Sequence, residues 1–116
     1  MIGVALAAPI LPGKVDDYKQ FSRELAEDPR RSDYIAVMKK SGVSRVRAWL
    51  QEGPESAVGI ILYEGETPTG FLQYMGTSQE PFAVWFREKV KDINGLDLTE
   101  PMEGPPSELV SDFQSD

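Results

Sequence analysis

The chain has 116 residues, of which 41% are hydrophobic and 27% are charged, a composition typical of a single soluble globular domain. It contains neither cysteine nor histidine, which excludes a disulfide framework, a thiolate nucleophile and every catalytic or metal site that needs a thiolate or an imidazole. The formal net charge of −7 comes almost entirely from the carboxylates that follow position 96, so the near-neutral body lacks the basic surface of a nucleic-acid-binding or membrane-binding protein.

The first predicted element is a β-strand over Ile2–Ile10, with apolar residues on both faces. Because this segment lacks a charged n-region, it is typical of a strand and not of a signal peptide. The apolar runs of the chain are too short to span a bilayer. We therefore expect a cytoplasmic protein with no membrane partner.

Two helical segments and a hairpin are predicted next. A helix begins near Val15 and is interrupted at Pro29, and a second helical segment ends at Gly42. Val43–Gln51 and Ala57–Tyr63 have the composition of strands. A turn-forming segment separates them, so they should pair as an antiparallel hairpin.

The second half of the chain predicts two more helices and a short last strand. Pro68 and Pro81 lie where a first helical turn tolerates proline. Asn94 and Gly95 end the second of these helices. Leu96–Leu98 then begins the last strand.

The order strand, helix, strand, strand, helix, strand is that of the ferredoxin-like βαββαβ fold. The sequence therefore predicts an α+β domain over residues 1–98, with a four-stranded antiparallel sheet and helices on one face. The first and third strands are apolar on both faces, and the chain has no second helical layer to cover the other face. We therefore expect a homodimer formed through the sheet.

Residues 99–116 form an acidic, proline-containing C-terminal extension. It also carries large apolar residues, namely Met102, Leu109, Val110 and Phe113. A purely solvated tail has no use for these side chains. We therefore expect the extension to pack on the body or on the dimer, with 101–106 crossing the body and 109–113 adding an edge strand or covering the dimer seam.

Beyond these patterns, the chain resembles the dimeric α/β barrel superfamily, which includes the antibiotic-biosynthesis monooxygenase-like and stress-responsive barrel domains. The resemblance covers residues 1–98 and rests on Leu11-Pro12-Gly13-Lys14, the element order and the doubly apolar sheet. Four segments also resemble a small bacterial family of uncharacterised proteins on this fold: Arg47-Ala48-Trp49-Leu50-Gln51, Trp85-Phe86-Arg87-Glu88, Gly95-Leu96-Asp97-Leu98 and Gly104-Pro105-Pro106. The resemblance implies a fold and a homodimer, and no activity.

The catalytic residues of that superfamily do not carry over to this chain. Members that act as cofactor-free monooxygenases or haem-degrading enzymes place Asn, Trp, His, Tyr or Arg around a pocket between the sheet and its helices. This chain has no histidine, and its single asparagine, Asn94, lies at a helix end where backbone conformation favours that residue.

One candidate binding surface lies on the second strand. Arg45, Arg47 and Trp49 share a face, so an arginine could hold an anion while the indole stacks on it. Ordinary ion pairs with Glu64, with Glu66 or with a partner subunit are the favoured explanation of these arginines.

The other candidate residues lie near the expected pocket. Tyr63 could donate a hydrogen bond to a ligand, Trp85 could line the pocket, and Tyr18 could lie at its rim. Its helical spacing with Phe82 and Val90 favours the interpretation of Trp85 as a plain core residue. The candidate ligand-binding set is therefore Arg47, Trp49, Tyr63, Trp85 and Tyr18.

The sequence leaves the function open. The first hypothesis is a protein that binds a small apolar or aromatic molecule between sheet and helices, or a cofactor-independent enzyme acting on one. The second is a structural or interaction protein with no catalytic activity, whose apolar sheet serves dimerisation. The third is a helper protein whose acidic, proline-containing tail docks on a partner. A cavity of roughly 300 Å³ or more lined by Trp49, Tyr63 and Trp85 would favour a ligand. No catalytic residue, metal site, cofactor or nucleic-acid partner is predicted.

Overall fold

Three antiparallel strands form the sheet of the computed structural model, which describes residues 2–100 and 106–115. They are β1 (Ile2–Ile10), β2 (Val43–Glu52) and β3 (Ala57–Gly65). Their spatial order is β1-β3-β2, and both pairings are antiparallel. The predicted hairpin of β2 and β3 is therefore confirmed, and β3 is the central strand.

Four helices pack on one face of this sheet. They are α1 (Val15–Leu25), α2 (Arg30–Lys40), α3 (Pro68–Thr77) and α4 (Pro81–Asn94). Proline fits the first position of α3 and of α4 because the N–H group there has no intrahelical acceptor. Among the described residues, no helix is long and apolar enough to cross a membrane.

Two of the helices, α2 and α4, end where the sequence predicts. Pro29 separates α1 from α2. Gly42 and Gly95 follow the last turns of α2 and α4 with φ angles of 74° and 69°. This left-handed conformation strains any residue with a Cβ atom, which explains glycine at both positions.

The predicted fourth strand is wrong, and with it the four-stranded βαββαβ sheet. The carboxylate Oδ1 of Asp97 accepts hydrogen bonds from the Thr99 N–H group (3.0 Å) and the Thr99 hydroxyl (2.5 Å). The Glu100 N–H group bonds the Asp97 carbonyl at 3.2 Å. These local bonds fold the segment into a turn. Leu98 packs against Gly76 of α3 instead of pairing with β1.

The two faces of the sheet differ in their surroundings. The inner face carries Val4, Ala8 and Tyr63, which are buried under the helices. The outer face has no covering element in the described part of the chain. It displays a strip of small and apolar side chains, namely Ala5, Ala7, Val58, Ile60, Leu62 and Trp49, all of them exposed or half-buried.

The core between sheet and helices is built around aromatic rings. Phe71 of α3 is fully buried. Phe86 of α4 lies 5.4 Å from Phe21 of α1 and 5.8 Å from Tyr34 of α2, measured between ring centroids. Tilted contacts of this kind favour a fixed helix arrangement. This cluster sets where the α1 and α2 side chains meet the sheet.

The tail does not pack on its own body as a strand. Residues 106–115 contain no helix or strand, so the edge strand expected over 109–113 is not formed on this chain's sheet. Covering of a dimer seam stays a prediction, and the expected path of 101–105 lies outside the described residues. The hydroxyl of Ser107 donates a hydrogen bond to the carbonyl of Ala5 on β1.

Candidate functional site: a tyrosine-lined cavity

A cavity of about 80 Å³ lies between the inner face of the sheet and the helices. Its lining is mostly aliphatic and aromatic, and none of its described residues carries a formal charge at neutral pH. Ser22 of α1 and Ala48 of β2 line it and are also exposed. The mouth of the cavity therefore lies between α1 and β2. The volume is well below the roughly 300 Å³ expected of a pocket for a drug-sized ligand, and of Trp49, Tyr63 and Trp85 only Tyr63 lines the cavity.

Three tyrosines from three different elements line this cavity: Tyr18 of α1, Tyr34 of α2 and Tyr63 of β3. Only 3% of Tyr63 is exposed, and only 7% of Tyr18. Burial raises the pKa of Tyr63 well above 10, and it also raises the pKa of Tyr34 and Tyr18. All three phenols therefore stay protonated at neutral pH and can each donate a hydrogen bond.

The Tyr63 hydroxyl has no hydrogen-bond partner among the described residues, yet no buried side-chain polar atom there is left without one. This hydroxyl is therefore accessible to a water-sized probe, and it belongs to a residue that lines the cavity. Buried polar groups in proteins are normally paired. An unpaired phenol in an apolar cavity is therefore a site for a hydrogen-bond acceptor.

Gly59 of β3 positions the first of these tyrosines. A Cβ atom at Gly59 would lie 2.6 Å from the hydroxyl oxygen of Tyr18 and 2.8 Å from its Cζ atom. The missing side chain thus lets the phenol ring lie directly on the central strand. Glycine is used here for a close approach and not for an unusual backbone angle.

Asn94, the last residue of α4, is a site residue that the sequence reasoning missed. It is 5% exposed, and its Nδ2 atom donates a hydrogen bond of 2.8 Å to the Pro9 carbonyl. Its side chain lines the cavity, where the amide oxygen can accept a hydrogen bond. A signal was available: Gly95 already supplies the left-handed residue after α4, so Asn94 is not needed for that purpose.

Of the five predicted binding residues, the structure brings Tyr18 and Tyr63 together. Trp85 does not line the cavity. Its ring lies 5.4 Å from that of Phe21, with the guanidinium of Arg30 stacked 3.9 Å from its centroid. Trp85 therefore holds α4 against α1 and α2, as its helical spacing with the core suggested.

Arg47 and Trp49 lie on the outer face, away from the cavity. The Nη2 atom of Arg47 is 3.0 Å from Oε1 of Glu64, so the favoured ion-pair explanation is confirmed for this arginine. Its guanidinium lies 5.6 Å from the Trp49 ring centroid. Because 46% of Trp49 is exposed, this pair belongs to a surface and not to a ligand pocket.

Comparison with known proteins supplies no relative from which a function can be transferred. No family model, no curated protein and no solved structure matches this chain. Membership of the dimeric α/β barrel superfamily therefore stays a prediction.

Proposed function

We propose that this protein binds a small, mainly apolar molecule in the cavity and holds its one polar group at the hydroxyl of Tyr63. The observation that carries this proposal is the Tyr63 hydroxyl, which has no hydrogen-bond partner among the described residues although the residue lines the cavity and is only 3% exposed. A hydrogen bond from this hydroxyl to a ligand oxygen would contribute about 0.5–1.5 kcal/mol net.

The volume limits the size of the ligand. An engineered apolar cavity of about 150 Å³ in another protein binds benzene, whereas this one measures about 80 Å³. A molecule of one ring therefore needs a small outward shift of half-buried lining residues, such as Leu25 and Val90. Larger apolar molecules are excluded unless the helices move.

The lining favours binding over acid–base catalysis. Its described residues include no carboxylate, lysine or arginine. The tyrosines are its ionisable groups, and burial raises their pKa values. A raised pKa makes a phenol a poor general base at neutral pH. These groups can orient a ligand and donate hydrogen bonds to it.

Titration with phenol and toluene tests the proposal. The two molecules have nearly the same size, but only phenol carries an oxygen that Tyr63 can bond. We expect phenol to bind more tightly, by about tenfold for one net hydrogen bond, as measured by NMR chemical-shift changes. Tyr63→Phe should remove this preference while keeping toluene binding.

A blocking variant and its control complete the test. Ala48→Leu places a larger side chain at the mouth and should weaken binding of both molecules. Ala36→Leu makes the same change on an exposed position of α2 and should have no effect. Failure of wild-type protein to bind either molecule at millimolar concentration would show that the cavity holds only water.

A second proposal concerns assembly: the outer face of the sheet binds a second copy of the chain. The supporting observation is the apolar strip that crosses all three strands, with Ala7 and Trp49 both paired to Ile60. Monomers seldom expose continuous apolar surface of this kind. The resemblance to dimeric α/β barrels supports the same arrangement.

Light scattering tests the dimer. Wild-type protein should have twice the mass of one chain at micromolar concentration. Ile60→Lys should give a folded monomer, because a two-fold contact brings the two new charges close together. Lys19→Glu, an exposed change on α1, should leave the dimer intact. A wild-type monomer would contradict the proposal.

A further inference from the structure

The tail presents an apolar surface that the chain itself does not cover. Leu109, Val110 and Phe113 are 77%, 84% and 92% exposed. These three residues lie within five positions of one another, so they form one exposed apolar segment and are not scattered over the surface. Exposed apolar segments of this kind mark binding surfaces.

The tail also has a fixed point of departure. Ser107 is tied by its hydroxyl to the carbonyl of Ala5, on the strand that forms one edge of the sheet. The arm, defined as residues 108–115, therefore starts at the margin of the outer face. Six residues from Ser107 to Phe113 span at most about 20 Å when extended, enough to reach a neighbouring sheet.

Charge identifies which part of a sheet the arm fits. The arm carries Glu108 and Asp112 beside its apolar residues, and it has no basic residue. On the outer face, Arg45 and Arg47 lie on β2, next to the exposed ring of Trp49. Arg45 forms no ion pair among the described residues, whereas Arg47 already contacts Glu64. The β1 side of the face offers only small uncharged residues.

We propose that the arm of each copy binds the outer sheet face of a second copy along its β2 strand, with Phe113 against Trp49 and the arm carboxylates facing Arg45 and Arg47. This inference rests on the proposed homodimer and adds an element to it. The arm does not bind the outer sheet face of its own chain, because the apolar side chains of the arm are exposed in the single chain. Exchange between two copies also makes the contact reciprocal.

Cross-linking tests the arm, since the chain has no cysteine. One chain carries Gln114→Cys, beside Phe113, and a second carries Gln51→Cys, two residues from Trp49 on the same face of β2. After mixing and mild oxidation we expect a disulfide-linked pair. The matched control replaces Gln51→Cys by Gln20→Cys on α1 and should give at least fivefold less product.

A chain with both Gln114→Cys and Gln51→Cys separates the alternatives. Linked dimers support the arm exchange, whereas a link within one chain overturns it. If no disulfide forms although light scattering shows a dimer, the proposed arm contact is wrong and the proposed dimer is not contradicted. An unlinked monomer overturns both. Leu109→Ser with Phe113→Ser should also raise the dimer dissociation constant at least tenfold, and an unchanged constant contradicts the proposal.

Discussion

Asn94 is hydrogen-bonded through its side-chain amide to the backbone carbonyl of Pro9, at 2.8 Å. Beside this bond, the Leu11 N–H group bonds the Ile93 carbonyl at 2.9 Å. The end of α4 is thus joined to the end of β1 by two bonds, one from a side chain and one from the backbone. This junction holds the amide of Asn94 at the cavity wall.

Replacement of Asn94 by alanine should therefore destabilise the fold. Asn94→Ala leaves the Pro9 carbonyl without its partner, which costs about 1–3 kcal/mol. Urea unfolding at neutral pH measures this loss. Lys91→Ala, an exposed change on the same helix, serves as the control. Equal stability of the two variants would show that the junction contributes little.

Gly59→Ala should push Tyr18 off the sheet. The new Cβ atom would lie 2.6 Å from the tyrosine hydroxyl, and overpacking of this kind costs about 1–3 kcal/mol. The cost should be smaller when Tyr18→Ala is present, because the colliding ring is gone. A double-mutant cycle with unfolding free energies measures this coupling; additive effects would mean that the two residues do not interact.

Tyr63→Phe should stabilise the ligand-free protein. The substitution removes a hydroxyl that has no partner among the described residues and keeps the ring that lies 5.3 Å from Phe71, centroid to centroid. We expect a gain of about 0.5–1.5 kcal/mol at pH 7, read from urea unfolding. A loss of stability instead would reveal a bound water as the partner of this hydroxyl.

The same variant should change how stability depends on alkaline pH. Burial raises the pKa of Tyr63 well above its ordinary value of 10. Above that pH the unfolded chain loses this proton and the folded chain keeps it, so the free energy of unfolding falls as pH rises. The contribution of Tyr63 is complete below pH 10 and disappears progressively above it.

Unfolding measured at pH 8 and between pH 10 and 11 checks this slope. In Tyr63→Phe the decline should be shallower by up to about 1.4 kcal/mol per pH unit. The difference between the two proteins should be constant below pH 9. Identical slopes above pH 10 would mean that the hydroxyl ionises freely in the folded state.

Trp49→Ala should weaken the dimer and leave ligand binding unchanged. The indole lies on the outer face and is 46% exposed in the single chain, so its loss removes contact area only between copies. Light scattering over a dilution series and phenol titration, applied to one variant, separate the two effects. Weaker phenol binding at an unchanged dimer constant would place this strand face in the ligand site after all.

Much of the sheet and the helix ends could be predicted from local signals. Pro29, Gly42 and Gly95 act through backbone sterics, which neighbouring residues decide. The prediction of the last strand was wrong. Leu96–Leu98 has the composition of a strand, but the side chain of Asp97 offers the backbone a competing set of hydrogen bonds. Propensity cannot rank these alternatives, since their difference depends on packing against α3.

The cavity was predictable only in part. Tyr63 and Tyr18 were identified because their periodicity directs them towards the core. Tyr34 and Asn94 were missed as site residues because their position depends on contacts distant in sequence, with Phe86 and with Pro9. Trp85 was a candidate for the pocket although its spacing favoured the core, and it packs in the core against Phe21. Core spacing does not say which side of the core an aromatic ring occupies.

The cavity mouth lies between Ser22 and Ala48, so a ligand does not enter through the surface proposed for dimerisation. The mouth lies on the helix side of the sheet, and the face proposed to bind a second copy is on the opposite side. A molecule can then enter and leave while two copies remain associated. The rate of ligand exchange should be the same in dilute and in concentrated protein, and saturation with ligand should not change the fraction of paired chains.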